Sequence, residues 1–363
     1  MNRILHFLFL CFAIVATATA SYAQGVTTAA IQGRVFDQSG KALPGATVTA
    51  VHTPTGTRYG TVANGRYSLP NLRVGGPYKV TVDFIGYQTQ EITGINLVLG
   101  QNLVLNFELS DSKQQLEEVV IEANEALDGD KTGAATNFSN EAIQKLPTIT
   151  RSASDIYRLN PASDGNSFGG RNDQYNNFSL DGSIFNNPFG LDAATPGGQA
   201  SAQPISLDAI DQIQVSLAPY DVTQSGFTGA SVNAVTKSGT NNFKGTVFGF
   251  YRNQDMTGTK VKDTDVIASD LRQLQAGFSV GGPIIKNKLF FFANLEVERR
   301  EDQGSNFVAS RPNLEGENIS RVQATDLEDV SDALLNNYGY ETGAYENFNH
   351  RTQNQKGIVK LDW

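Results

Sequence analysis

Three stretches of this chain change character at every second residue. Leu274, Ala276, Phe278 and Val280 alternate with Gln273, Gln275, Gly277 and Ser279. Leu289, Phe291, Ala293, Leu295 and Val297 alternate with Phe290, Phe292, Asn294, Glu296 and Glu298, and Gly357, Val359, Leu361 and Trp363 with Lys356, Ile358, Lys360 and Asp362. A period of two belongs to a strand with two unlike faces, so this part of the chain is expected to be sheet. After Ala23 no apolar run approaches the ~20 residues a helix needs to cross hydrocarbon. Membrane passage, if there is any, therefore requires a closed sheet, in which every backbone group is paired. A soluble sandwich would show the same alternation, so parity alone does not choose between the two.

Connection lengths separate them. A first strand, Phe243 to Asn253, carries large side chains on both faces. About 20 polar residues follow it, only "IIKN" separates the second strand from the third, and about 55 residues rich in Asn, Asp and Glu precede the fourth, which is the long, short, long order of a membrane barrel. Apolar side chains would then face lipid, polar ones the interior, and Trp363 an interface. Four strands cannot close a barrel or remove their edges, so the chain is expected to be the N-terminal part of a longer protein.

The other end supplies an address. Arg3 precedes an apolar run from Ile4 to Ala16 and small residues ending "TATASYAQ", the pattern of a secretory signal peptide over residues 1–23. Cleavage is expected between Ala23 and Gln24. Cys11, the only cysteine, lies inside this segment behind Leu10, so neither lipid attachment nor a disulfide or cysteine metal site is expected in the mature chain. The 37 acidic residues outnumber 28 basic ones, a balance that disfavours binding to nucleic acid.

Residues 29–109 read as short strands punctuated by turns at Gly40, Pro44-Gly45 and Asn64-Gly65, the pattern of a small β-sandwich. In "YKVTVDF" Tyr78, Val80, Val82 and Phe84 share one face, and Lys79, Thr81 and Asp83 the other. Through "GRVFDQSGKALPGATV", "GRYSLPNL" and "VDFIGYQT" this part resembles the carboxypeptidase-regulatory-like domain. The resemblance implies a rigid module without catalytic groups. His52 and His350 are the only histidines after residue 23, too few and too far apart for a zinc site, so no metal is expected.

Residues 110–133 form a charged linker around one apolar core, Val119, Val120 and Ile121. It reads as a tether, as the first strand of the next domain, or as an extended segment that adds to a partner's sheet edge. Its "DGDKTG", with Asp128, Asp130 and Thr132 at alternate positions, begins like a calcium loop, but the closing glutamate position falls on Ser139 and calcium is not expected.

Residues 134–242 mix helix and strand. "SNEAIQKLP" is a helix with Ser139 as cap and Pro147 as stop. Ile205, Leu207, Ile210 and Ile213 suit a short helix leading into "IQVSL". The series "IQKLP", "GGRNDQYNNFSLDG", "LDAIDQIQVSLAPYD" and "GFTGASVNAVTKSGTNNFKGT" resembles the plug domain of TonB-dependent outer-membrane receptors, closest to the Oar-like branch. The resemblance implies a mainly β protein in three parts: the sandwich, an α+β plug at 134–242, and from 243 to 363 the first strands of an incomplete transmembrane barrel of roughly 22 strands that the plug blocks. Within it, Arg171, Asn172, Asn177, Asp181 and Gly182 are the plug motif. Leu116, Glu117, Glu118, Val119, Val120, Ile121, Glu122 and Ala123 stand where the TonB box would pair with a TonB-like energy-transducing protein.

The implied function is energised uptake of a bulky ligand across the outer membrane, with the sandwich and plug on the periplasmic side; the alternative is an adhesin or surface-assembly protein that displays loops on its barrel. The implied partners are the TonB-like protein, outer-membrane lipid and a transported ligand that the sequence does not identify. No nucleophile–base constellation and no cofactor loop is present, so neither an enzyme nor a cofactor is expected. "NDQYNNF" and "IFNNPFG" suit either a polar ligand or a buried network in the plug, of which the network is the favoured reading.

Overall fold

A computed structural model of the chain describes residues 26–111, 120–122, 135–187, 195, 202, 204–217, 227–262, 264–265, 269–316 and 318–363. It divides into two compact units. One comprises Met1–Lys244, Gly281–Phe292 and Val359–Trp363, the other Gly245–Val280 and Ala293–Ile358.

Alternation in the first region builds eight strands: β1 (Thr28–Asp37), β2 (Pro44–His52), β3 (Thr57–Asn64), β4 (Arg66–Arg73), β5 (Gly75–Asp83), β6 (Gln90–Leu97), β7 (Asn102–Val104) and β8 (Phe107–Leu109). β9 (Val120–Glu122) joins them from the linker. One sheet runs β4-β1-β7 with β8 also on β1, and the other β3-β2-β5-β6-β9. Ile31, Val48, Tyr78, Val80, Val82, Leu97 and Phe107 are fully buried, and Lys79 and Asp83 are exposed, so the parity read in β5 holds. Buried tyrosines need partners. The Tyr78 hydroxyl donates to the Arg73 carbonyl at 2.7 Å and that of Tyr67 to Leu105 at 2.8 Å. At Gly33 a Cβ would fall 1.7 Å from the Leu105 oxygen, so the backbones meet only because no side chain intervenes.

The second region begins with β10 (Ala135–Phe138) and α1 (Asn140–Lys145), whose N-terminus the Ser139 hydroxyl caps by accepting from Ala142 N–H. α2 (Ala153–Tyr157) opens with a capping box of Ser152 and Asp155. A two-residue pair β11 (Ser163–Asp164) and β12 (Ser167–Phe168) leads to β13 (Asn177–Leu180), β14 (Ser183–Ile184), β15 (Ile210–Ser216) and β16 (Ser231–Thr236). The sheet order is β10-β15-β16-β13-β14, with β13 parallel to β16. The helix expected across Ile205 to Ile213 is only a 3-10 turn at Leu207–Ala209, and Ile210 and Ile213 belong to β15. As a central strand, β15 is buried on both faces and its apolar spacing is not confined to one parity, which is why it mimics a helix.

Four long strands follow: β17 (Lys244–Asn253), β20 (Leu271–Ile285), β21 (Leu289–Gln303) and β24 (Asn349–Asp362), hydrogen-bonded in that order. The β20–β21 link is a tight turn with Asn287 in the left-handed region at φ 62° and Lys288 N–H donating to the Ile285 carbonyl. A small pair, β18 (Lys260–Val261) and β19 (Thr264–Asp265), lies in the first long connection. The second holds β22 (Val308–Ser310), β23 (Ile319–Gln323) and a helix α3 (Ala324–Tyr338) closed by Gly339 at φ 65°. Strands of 15, 15 and 14 residues exceed the ~10 with which a tilted strand can cross hydrocarbon.

Candidate functional site

The wall strands invert the polarity of a soluble protein. On β20, β21 and β24 the exposed parity carries large apolar residues: Phe278 43%, Leu295 45%, Val359 77% and Leu361 65%. The other parity is buried or half-buried, and its buried members include Gln273, Gln275, Asn294, Glu296, Glu298 and Lys356. Water as the only solvent would select the reverse, because burying charge costs several kcal/mol and exposing large apolar side chains gains nothing. Lipid against the apolar face resolves the inversion.

The buried charges form one network. Lys356 Nζ lies 2.8 Å from Glu296 Oε1 and 3.3 Å from Glu298 Oε2, and the amides of Gln273 and Gln275 donate to Glu298 Oε1. Outward-facing apolar residues on β21 stop at Val297, where Arg299 and Glu301 take over; Glu301 pairs with Arg351 of β24 at 3.2 Å.

In the plug-like sheet the motif residues serve the backbone. Asp181 and Gly182, at φ 47° and 84°, make the two-residue turn between β13 and β14. The Asp181 carboxylate accepts from Thr236 N–H at 2.9 Å and from its hydroxyl at 2.5 Å. Asn172 caps a 3-10 turn by accepting from Gln174 N–H. Arg171 is exposed and follows Gly169 and Gly170, both at positive φ. Asn177 is buried and accepts from the Asn186 amide at 2.9 Å. Asn176, absent from the residues singled out in the sequence, ties three segments together: its carbonyl oxygen accepts from Ala230 N–H, and its amide donates to the Asn166 carbonyl. A Cβ at Gly229 would fall 2.2 Å from that oxygen, so the glycine belongs to the same junction. The asparagine-rich stretches thus take part in an internal network.

Sequence reading also missed two connections of this sheet. Gln212 accepts from Leu99 N–H at 2.8 Å and donates to the Leu97 carbonyl, while Gln214 donates to the Leu99 carbonyl at 2.8 Å. Two side-chain amides on β15 thereby satisfy the backbone that runs out of β6, and Val235 completes the sandwich core. At the end of β24, Lys360 Nζ donates to the carbonyl and hydroxyl of Thr236, both at 3.2 Å, and pairs with Asp181 at 3.5 Å. Asp362 pairs with Arg73 at 3.2 Å. Asp211 lies among Lys237, Lys360 and Arg73, yet burial outweighs their pull and raises its pKa above the usual carboxylate value. None of these partners is close in sequence, so no local pattern announces them.

Of the candidate box, Leu116, Glu117, Glu118, Val119 and Ala123 lie outside the described residues, as do Ala23, Gln24, Asp128 and Asp130. Val120, Ile121 and Glu122 form β9, paired in parallel with Glu91, Ile92 and Thr93 of β6. Among the described residues no cluster of three His, Cys, Asp or Glu is placed to hold a metal.

Two family models match the chain: a carboxypeptidase regulatory-like domain over residues 30–110 and an outer membrane beta barrel domain over 235–357. The TonB-dependent transporter Oar of Myxococcus xanthus is 27% identical over 299 residues, which cover 76% of this chain and 27% of that protein, so the chain spans about a quarter of its relative's length. Among solved structures, the siderophore receptor PirA from Acinetobacter baumannii aligns at 24% identity and a TM-score of 0.36, covering 48% of this chain and 25% of that one. The outer membrane transporter YddB from Escherichia coli aligns at 16% and 0.35, covering 50% and 28%. The chain is thus an outer-membrane homologue of the Oar-like TonB-dependent transporters, mainly β, with a carboxypeptidase-regulatory-like domain ahead of an outer-membrane β-barrel domain.

Proposed function

We propose that this chain belongs to a plug-gated outer-membrane receptor that takes up a bulky ligand with energy supplied from the inner membrane. The observation that carries the reading is the inverted polarity of β20, β21 and β24, which suits a wall with lipid on one side. The sheet β10-β15-β16-β13-β14 acts as the plug, and the bonds from Lys360 to Thr236 and Asp181 hold it to the end of β24. Arg171, Asn172, Asn177, Asp181 and Gly182 keep its turns in shape. Leu116 to Ala123 is the TonB box, which pairs as a strand with a TonB-like protein so that a pull on it shifts the plug. The role is binding and transport, without catalysis.

Deleting Leu116 to Ala123 in the receptor tests this. The variant is expected to reach the outer membrane but no longer to co-purify with the TonB-like protein, whereas unchanged co-purification refutes the assignment. One observation favours the alternative of an adhesin or surface-assembly protein: the second long connection is structured, with α3, the β22–β23 pair and an Arg311–Glu346 ion pair. Surface display would survive the deletion, and uptake would not.

A further inference from the structure

The sandwich sheet ends in a strand that is not its own. β6 is hydrogen-bonded on one side to β5, and among the described residues its other edge is covered by β9 alone, three residues from the second half of the candidate box. Without β9 that edge would present unpaired N–H and C=O groups, a standing invitation to any extended peptide. The chain leaves the sandwich close by: Gln88 N–H donates to the Ser110 carbonyl at 2.9 Å, and Asp111 bridges to Tyr87, immediately before β6 begins. From Asp111 to Val120 the intervening residues can span about 30 Å when extended, far more than a return to the neighbouring edge requires.

We propose that the outer edge of β6 is a docking site for the box, and that pairing there withholds the box from its TonB-like partner. The proposal rests on the reading of Leu116 to Ala123 as the box. A strand already paired along one edge has lost the backbone groups of that edge to a partner and cannot swing away from the sandwich. Freed, the same segment reaches about 30 Å from Asp111. Three residues of parallel ladder make a weak contact, parallel pairing being slightly less stable than antiparallel, so docking is reversible. Tethering compensates for that weakness, because a covalent connection of a few residues keeps the local concentration of the segment in the ~mM range. The sandwich itself is fastened to β15 through Gln212 and Gln214, so the parked box stays with the plug-like sheet.

A disulfide across the ladder tests the proposal. Thr93 and Glu122 are register partners, and neighbouring strands lie ~4.8 Å apart, within the Cα spacing a disulfide accepts. Because Cys11 is the only cysteine in these 363 residues, the Thr93→Cys/Glu122→Cys change adds the only pair this part of the receptor carries beyond the N-terminal segment. Capture by the purified periplasmic domain of the TonB-like protein is then compared before and after reduction, with both single-cysteine receptors as controls. Closure of the disulfide and at least a ten-fold loss of capture, reversed by reductant, is expected. Failure of the pair to close in the assembled receptor overturns the docking. Closure with unchanged or stronger capture overturns the withholding, since the sandwich would then be presenting the box. Deletion of Leu116 to Ala123 is run alongside: if it abolishes capture while the closed disulfide does not, the box reading survives and the docking role falls. If the deletion leaves capture intact, the box reading is at fault and the proposal falls with it.

Should the paired variant fail to assemble, amide exchange on the unaltered receptor decides. Adding the partner domain is expected to speed exchange across Glu91 to Thr93 as β9 leaves, and unchanged exchange there refutes the proposal.

Discussion

Introducing arginine at two depths of β21 tests the orientation of the wall. Outward apolar residues run from Leu289 to Val297 and are followed by Arg299. The eight steps between them, at about 3.3 Å each on a strand tilted roughly 40°, give a band about 20 Å tall, close to the ~25 Å apolar belt of outer-membrane barrels. Ala293 sits at its middle, about 10 Å from either edge, and Val297 at its rim. A lipid-facing arginine costs about 2–4 kcal/mol at the midplane and about 0–1 near the interface. Ala293→Arg is therefore expected to lower the unfolding free energy of the receptor by about 2–4 kcal/mol, and Val297→Arg by less than about 1. Urea unfolding from lipid vesicles, followed by the loss of heat-resistant gel migration, measures both. Equal costs at the two sites, or a smaller cost at Ala293, would refute the assignment of this face to hydrocarbon.

The remaining predictions concern buried charge. Lys356→Met is expected to destabilise the wall by about 3–5 kcal/mol, because Glu296 and Glu298 lose the buried cation that pairs with both; adding Glu296→Gln and Glu298→Gln should recover most of it in the same unfolding assay. In the sandwich, the His52 ring packs tilted against that of Tyr78, centre to centre 4.9 Å, and its Nδ1 lies 2.7 Å from the Thr55 hydroxyl. Burial, assisted by the charge of Arg73, pushes its pKa down from 6.5 to about 4. Folding thus favours the neutral ring: the contribution is complete above pH 6.5 and is lost as pH falls towards 4, an effect of about 3 kcal/mol. An NMR titration of the His52 ring with a midpoint above 6 would contradict this, and His52→Gln should flatten the acid loss of sandwich stability.

How much of this could be read from the sequence depends on how far apart the interacting residues lie. The Ser139 cap and the Asp181-Gly182 turn are decided within a few positions, and both are where the residue types place them. The glutamine bridge from β15 to Leu97 and Leu99 spans more than a hundred positions, and the bond from Asn176 to Ala230 more than fifty. Nothing near Gln212 or Asn176 announces its partner, since any buried amide needs one and local sequence does not say which. The β6–β9 pairing is harder still to foresee, because backbone groups make it and every residue except proline carries them. The helix expected at Ile205 to Ile213 failed for a different reason: a strand buried on both faces loses the two-fold contrast by which strands are recognised.

One ambiguity was intrinsic to the sequence, and a single comparison inside the chain resolves it. β5 and β21 obey the same two-residue period. In β5 the apolar parity, Tyr78, Val80 and Val82, is fully buried, and Lys79 and Asp83 face out. In β21 the parity of Asn294, Glu296 and Glu298 is buried, and Leu295 and Val297 face out. Period reports only that two faces differ; which face is buried reports what lies against them. The side chains of β5 are sorted by water, whereas those of β21 make sense only with hydrocarbon outside and satisfied polar groups within, as Lys356 provides. The same alphabet therefore builds a water-sorted sandwich and a membrane wall, and the sign of burial separates them.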